Sequence, residues 1–335
     1  MPNKHTIGDL YQMQSLSLEA KIRMTEARIK GWIDEYGEDG VYISFSGGKD
    51  STVLMDIVRN EMGEKNIPAV FVDVPTQFPE LRDFASSWDN VEILKPQISF
   101  MDVCDKYGFP LISKEVSRTV SDVKKHGENC FAFSLLNGSC KGSVYDKTKW
   151  NFLVEAPFNI SNRCCDQMKK KPLHNYLKKT GRFPMTAQMA DESKQRRAQW
   201  LLNGCNGFNM KSPISNPMAF WTEQDILQYI HTYNIPICSV YGNVVVDYDA
   251  MGEMDGQVMF DEFSGNIKYK TTGCDRTGCM LCGFGCHMKD DARFLQLKET
   301  HPKMYNLLDV VKNNGVTFRE AIEWVNEHGN LNIKL

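Results

Sequence analysis

Residues 41–51 read VYISFSGGKDS, a β-branched and aromatic run that stops at a Ser-Gly-Gly-Lys-Asp-Ser turn. Residues 52–59, TVLMDIVR, continue with apolar side chains at helical spacing. Strand, glycine turn and helix in this order aim backbone N–H groups and a helix N-terminus at an anion. Gly47 and Gly48 let the backbone approach a ligand with no Cβ in the way. Lys49 adds a point charge, and Ser46 and Ser51 supply hydroxyls. The Walker loop needs a glycine five residues before the glycine of its Gly-Lys pair and a Ser or Thr after the lysine. Here Ile43 and Asp50 hold those positions, so this is a phosphate-type loop of another kind.

The elements around the loop predict an α/β fold. Leu18, Ile22, Ile29, Ile33 and Tyr36 stand at mostly helical intervals and predict an amphipathic helix over 16–36. After the glycine turn come a helix to about Met62, a strand at Ala69–Val72, a helix over Pro79–Trp88 and a strand at Val91–Leu94. Alternation of this kind implies a Rossmann-like parallel sheet with helices on both faces, and ligands at the carboxyl ends of the strands. Asp73 lies at one such end, and Ser44 and Phe45 lead into the loop at another. Further on, 113–125 reads as a helix, 126–160 as an irregular insertion, 183–189 as a strand and 191–202 as a helix. Thr222-Glu-Gln-Asp225 and Thr317-Phe-Arg-Glu320 are capping boxes that open two more helices, ending near Tyr233 and Gly329. The expected division is a helical segment 1–40, a nucleotide-binding domain 41–235 and a cysteine-rich, helical region 236–335.

With 335 residues, 42% of them hydrophobic, the chain can bury a substantial core. A net charge of −3 argues against an all-over grip on nucleic acid but allows a local basic patch, for which 169–171 and 178–179 are candidates. No stretch approaches the ~18 apolar residues of a membrane span, and no secretory leader is apparent. Eleven cysteines without such a leader point to metal ligands or reactive thiols in a cytoplasm rather than to disulfides.

Those cysteines fall into two groups. One is the pair Cys164-Cys165, followed by Lys169 and Pro172; the other is GCDRTGCMLCGFGC, with Cys274, Cys279, Cys282 and Cys286. Four local thiolates of the second group would satisfy zinc. Two ligands from each group would satisfy a [4Fe–4S] cluster. Spacing alone leaves both open, the cluster and, as its alternative, zinc.

The SGGKDS run resembles the PP-loop of the adenine-nucleotide α-hydrolase-like (HUP) superfamily, and the cysteines resemble the iron–sulfur branch of its phosphoadenosine phosphosulfate (PAPS) reductase family. This resemblance implies an adenylyl nucleotide (PAPS, adenylyl sulfate or ATP) held by Ser44–Ser51, with chemistry near the α-phosphate. It further implies that Lys49, Asp50 and Ser51 serve catalysis, and that Cys164, Cys165, Cys279 and Cys282 hold [4Fe–4S]. Cys274 and Cys286 would be reserve ligands. FVDVPTQFPE (71–80) resembles the family segment that helps hold adenosine, which adds Asp73 and Thr76 to the nucleotide site. ADES (190–193) with Arg196 and Arg197 resembles a segment that reaches the nucleotide's anionic end, which adds Glu192, Ser193, Arg196 and Arg197. Met189 or Ala190 stands where that segment carries arginine, so anion binding would fall to Lys194, Arg196 or Arg197.

The family's nucleophilic cysteine sits in a C-terminal Glu-Cys-Gly-x-His segment, and no cysteine here follows Cys286. Cys140, Cys205 and Cys286 match no such motif. Two chemistries therefore stay open within the resemblance. One releases sulfite from PAPS or adenylyl sulfate with an electron donor. The other adenylates a substrate with loss of pyrophosphate, Asp50 positioning Mg²⁺ when ATP is bound, before sulfur is inserted from a sulfur-donor protein, as for tRNA thiolation or DNA phosphorothioation. The contrasting class is a nucleotide-binding regulator without catalysis. An oligomer is compatible with each.

Overall fold

A computed structural model describes residues 3–248 and 267–335. The first two residues of the expected 1–40 segment, and 249–266 of the expected 236–335 region, lie outside the described residues. In chain order the strands include β1 (Val41–Phe45), β2 (Ala69–Val72), β3 (Val91–Leu94), β4 (Leu111–Ile112), β5 (Phe183–Met185), β6 (Asn206–Gly207) and β7 (Ile214–Ser215). All but β4 form one sheet in the order β3-β2-β1-β5-β7-β6. Every pairing in it is parallel except β6 with β7. Consecutive residues Val41, Tyr42 and Ile43 are all buried, as are Ala69, Val70 and Phe71, so β1 and β2 are covered on both faces. From β1 the order runs through β2 to β3 on one side and resumes with β5 on the other. The sheet therefore has its switch point at β1, and the carboxyl end of β1 is the glycine loop.

The chain divides into two compact units that are interleaved in sequence, rather than consecutive at 40/41 and 235/236. The first comprises Met1–Asp73, Pro79–Leu94 and Asn175–Thr277; the second comprises Val74–Phe78, Lys95–His174 and Gly278–Leu335.

In the first unit, helix Leu18–Tyr36 starts at Ser17, whose hydroxyl accepts from the Ala20 N–H, and buries Leu18, Ile22, Thr25, Ile29 and Trp32. That spacing is the core-facing stripe of an amphipathic helix. Buried Lys21 on the same helix donates to both carboxylate oxygens of Asp225 at 2.7 Å. Helix Lys49–Asp56 passes into a π-turn, Ile57–Glu61. Its Asp56 carboxylate accepts from Tyr229 Oη at 2.7 Å, which ties it to helix Glu223–Tyr233. The expected strand 183–189 shortens to β5. The expected helix 191–202 divides into a 3₁₀ turn, Ala190–Glu192, and helix Lys194–Asn203, because Ser193 turns extended to cap the second piece.

In the second unit, Phe109, Phe158 and Phe318 are fully buried, with Phe109 stacked on Phe318 at 4.8 Å between ring centres. Buried Asn313 donates to the carbonyls of Cys104 and Asp105 and accepts from the Asn159 N–H. The stretch expected to be irregular holds helix Phe131–Leu136 and the 3₁₀ segment Thr148–Glu155. β4 pairs in parallel with Gly283–Phe284, and there Ile112 adopts φ 66°, a left-handed conformation costly for a β-branched residue. Among the described residues no helix is long and apolar enough to cross a membrane.

Candidate active site

The glycine loop is held open by its own hydroxyls. Ser51 Oγ accepts from the Ser46 N–H at 3.1 Å and lies 3.0 Å from Ser46 Oγ. Ser46 Oγ in turn accepts from the Gly48 N–H at 3.3 Å, and Ser51 Oγ donates to the Gly48 carbonyl at 2.9 Å. Gly47 has φ 72°, and a Cβ there would lie 3.1 Å from the Leu81 carbonyl oxygen. A glycine is thus required twice over, by conformation and by space. At Gly48 a Cβ would stand 3.2 Å from both Ser46 Oγ and Tyr241 Oη.

A cleft of about 130 Å³ opens over this loop, lined by Ser46, Lys49, Asp50, Glu223, Tyr241 and Arg276 among others. Lys49 is buried, its ammonium 3.3 Å from Glu223 Oε1 and 5.4 Å from the centre of the Tyr241 ring. The Tyr241 phenol shares a hydrogen bond with Thr277 Oγ1 at 2.6 Å and receives the Lys49 backbone N–H. Burial pushes that phenol up to about 12. Asp50 is the second residue of helix Lys49–Asp56, whose cap position is Gly48 and has no side-chain cap bond. Burial raises the Asp50 carboxyl above the usual aspartate range, against the opposing pull of Lys49, Arg276 and Arg196. The cleft thus sets two cations, Lys49 and Arg276, among four carboxylates, Asp50, Glu192, Glu223 and Asp275, a mixed pattern that suits a phosphate group carrying its own metal cation better than a bare anion.

The sequence-predicted residues divide as follows. Ser46, Gly48, Lys49, Asp50 and Glu192 line the cleft, and Arg196 feels the Asp50 charge. Ser44 and Phe45 end β1; Phe45 is buried beneath the loop, in edge contact with Trp88. Asp73 follows β2, its N–H bonded to the Leu94 carbonyl and its carboxylate 3.4 Å from Arg82 Nε. Ser193 caps helix Lys194–Asn203, Arg196 is paired with Glu192, and Arg197 Nη2 lies 3.1 Å from Asp191. Thr76 belongs to the second unit, where its carbonyl accepts from the Met280 N–H and its buried hydroxyl has no hydrogen-bond partner among the described residues. Sequence reasoning missed Arg276, Thr277, Tyr241 and Glu223. Arg276-Thr277 stands inside the cysteine run, where only sulfur drew notice, and Glu223 was read as part of a cap.

The cysteine group lies in the second unit. Cys164 is buried, which raises its thiol above the usual range, and its neighbours Cys279, Cys104, Cys165 and Cys282 raise it further. Burial pushes Cys282 up to about 11, with Cys279 and Cys165 adding to it. Burial opposes the Lys169 ammonium, yet Cys279, Cys165 and Cys282 outweigh it and hold the lysine charged, hydrogen-bonded to Cys279. Cys286 donates to the Gly283 carbonyl at 2.9 Å and is pushed up to about 12 by burial. Cys274 falls in the first unit, beside Asp275 and Glu80. Among the described residues no three His, Cys, Asp or Glu side chains are arranged to hold a metal ion. Cys164, Cys165, Cys279 and Cys282 feel one another's charge, so the donor types of a thiolate-ligated cluster share this region without being arranged around an ion.

Residues 40–102 and 111–283 match the model of the phosphoadenosine phosphosulfate reductase domain. The chain belongs to this family. Sulfate adenylyltransferase subunit 2 of Vibrio vulnificus is 24% identical over 263 residues, covering 70% of this chain and 74% of that protein. The protein of the same name from Aliivibrio fischeri is 26% identical over 258 residues, with the same coverage. The solved PAPS reductase of Candida auris, a phosphate complex, covers 71% of this chain and 92% of its own, at 14% identity and a TM-score of 0.37.

Proposed function

We propose that this family member binds an adenylyl nucleotide with its anionic end over the Ser46–Ser51 loop, and that it transfers the adenylyl group with release of pyrophosphate. An acceptor oxygen attacks the α-phosphorus, the bond from that phosphorus to the bridging oxygen breaks, and the electron pair leaves with pyrophosphate. The curated relatives, named as sulfate adenylyltransferase subunits, make sulfate the first acceptor to test and make an assembly partner part of the proposal.

Asp50 is the observation that carries this reading. A carboxylate that lines the cleft beside Lys49, Arg276 and Arg196 is ill-suited to a bare sulfate group. It suits a leaving pyrophosphate carrying Mg²⁺, a cation commonly bound by one or two carboxylates together with substrate phosphates. Asp50 would hold that ion, whose contribution is to neutralise charge on the leaving group. Lys49 and Arg276 would bind the same phosphates from the protein side, and the loop N–H groups would orient them.

The deciding experiment supplies anaerobically purified protein with Mg·ATP and sulfate, and separately with PAPS or adenylyl sulfate and a reductant. Pyrophosphate release from ATP, lost in Asp50→Asn, is the expected result. Sulfite release from PAPS with no turnover of ATP would overturn it in favour of reduction.

The gathered thiols support a second assignment: a [4Fe–4S] cluster on Cys164, Cys165, Cys279 and Cys282, with zinc as the competing occupant. Such a cluster supplies electron transfer when bound, and would require an electron-donor protein. Lys169 would offset the charge of the thiolates.

A further inference from the structure

Two side chains flank the Lys49 ammonium, and both stand where a ligand's anion would approach. Its backbone is set at the first turn of helix Lys49–Asp56, and its ammonium is buried. On one side is Glu223 Oε1 at 3.3 Å; on the other is the Tyr241 ring. Glu223 is the first residue of helix Glu223–Tyr233, and that end of the helix is rigidly placed. Thr222 caps it with a reciprocal bond from Asp225, Asp225 is held by buried Lys21, and Tyr229 is bonded to Asp56. The Glu223 side chain is nevertheless 43% exposed, against 6% for Lys49. Its carboxylate can rotate into water at little cost, whereas the lysine cannot leave.

We infer that Glu223 is a selectivity latch: its carboxylate and the ligand's anionic group compete for the single Lys49 ammonium, so that only a ligand able to outbid a carboxylate enters. This rests on the reading of the cleft as the site of a nucleotide's anionic end. On displacing Glu223 a small oxyanion gains Lys49 and the loop beside it, but is too short to meet Arg276 as well. A pyrophosphate or polyphosphate also reaches Arg276. The latch therefore weakens inorganic phosphate and sulfate more than it weakens pyrophosphate or ATP, and it discriminates by requiring several contacts at once.

The test is a double-mutant cycle on Lys49 and Glu223, with inorganic phosphate, pyrophosphate and ATP as probes and calorimetric affinity as the readout. Glu223→Gln keeps the side-chain shape and leaves the Thr222–Asp225 cap intact. It should tighten phosphate binding by roughly two- to fivefold, the scale of releasing one part-exposed ion pair, and tighten pyrophosphate and ATP by less. In the Lys49→Met background the same change should do nothing beyond a small, uniform gain for all three anions. An equal gain in both backgrounds would overturn the latch, because it would reduce Glu223 to general repulsion. Weaker binding of all three probes in Glu223→Gln would also overturn it, by making Glu223 a binding group. If pyrophosphate and ATP bind neither wild type nor variants, the cleft reading itself falls; if they bind and Glu223→Gln changes nothing, only the latch falls.

Discussion

Replacing Lys21 by Met tests the physical basis of the whole cleft, because it removes the cation that fixes Asp225. The Lys21 ammonium is 2% exposed and contacts both Asp225 oxygens at 2.7 Å. At an effective dielectric of about 20, that separation corresponds to an attraction of about 6 kcal/mol, much of it offset by the desolvation of both charges. What the substitution exposes is the other half of the balance, an unpaired buried carboxylate, and such losses run to about 3–5 kcal/mol. Asp225 would keep the Thr222 N–H and Oγ1–H, at 2.7 and 2.8 Å, so the lower end is expected, about 3 kcal/mol. For a unit of this size each kcal/mol moves the midpoint by about 2–4 °C, which gives a fall of about 6–12 °C in thermal unfolding. Hydrogen exchange should show the loss concentrated at the start of helix Glu223–Tyr233. Lys21→Met with Asp225→Asn, which keeps an acceptor for the cap but no charge, should recover at least half of the loss. A fall of less than about 2 °C in the single variant would refute the reasoning, since it would mean that the carboxylate reaches water without Lys21.

Three further outcomes follow from the geometry. Gly47→Ala forces a left-handed φ on a residue with a Cβ 3.1 Å from the Leu81 carbonyl; it should cost about 1–3 kcal/mol in unfolding free energy and weaken pyrophosphate binding at calorimetric concentrations. Asp50 has a folded-state pKa raised mainly by burial, so its carboxylate costs stability as pH climbs from the ordinary aspartate range through the raised value, and the full cost is present above it. Asp50→Asn should therefore raise the thermal midpoint at pH 7–8, with a smaller gain at acid pH measured by the same melt. Cys279→Ser should cut iron and acid-labile sulfide in anaerobic preparations to background while leaving nucleotide binding measurable. Stoichiometric zinc in the parent protein would replace the cluster assignment.

The parts of the fold legible in the sequence are those where a local rule agrees with the long-range packing. Val41–Phe45, the glycine turn and helix Lys49–Asp56 were expected because each is signalled within a few residues. β2 and β3 fall at the expected residues, and both capping boxes form as the Thr-x-x-Asp and Thr-x-x-Glu patterns imply. Two-residue strands such as β6 and β7 carry no readable period and exist only because β5 offers β7 a partner and β7 in turn offers one to β6. Helix Phe100–Tyr107 did carry a signal, Ser99 capping through Asp102, but it is short, and the strand after it has only two residues to mark its end. At the site, the loop residues were legible, whereas the walls were not. Tyr241, Arg276 and Glu223 are far from Lys49 in sequence, and nothing local marks a side chain as aimed at a distant loop. Arg196 is an anion-binding candidate from the sequence, and the structure shows it paired with Glu192.

The switch point at β1 has a consequence for how the polypeptide is made. One edge of β1 can pair with β2 as soon as residue 72 has left the ribosome, but the other waits for β5 at 183–185. About 90 residues separate β3 from β5, which at roughly 5–20 residues per second leaves that edge open for about 5–20 s. Throughout that interval Val41, Tyr42 and Ile43 offer an apolar, unpaired ladder to any neighbouring nascent chain. Yield in cells should therefore depend on translation speed through 95–182 and on holdase chaperones more than on the stability of the finished protein.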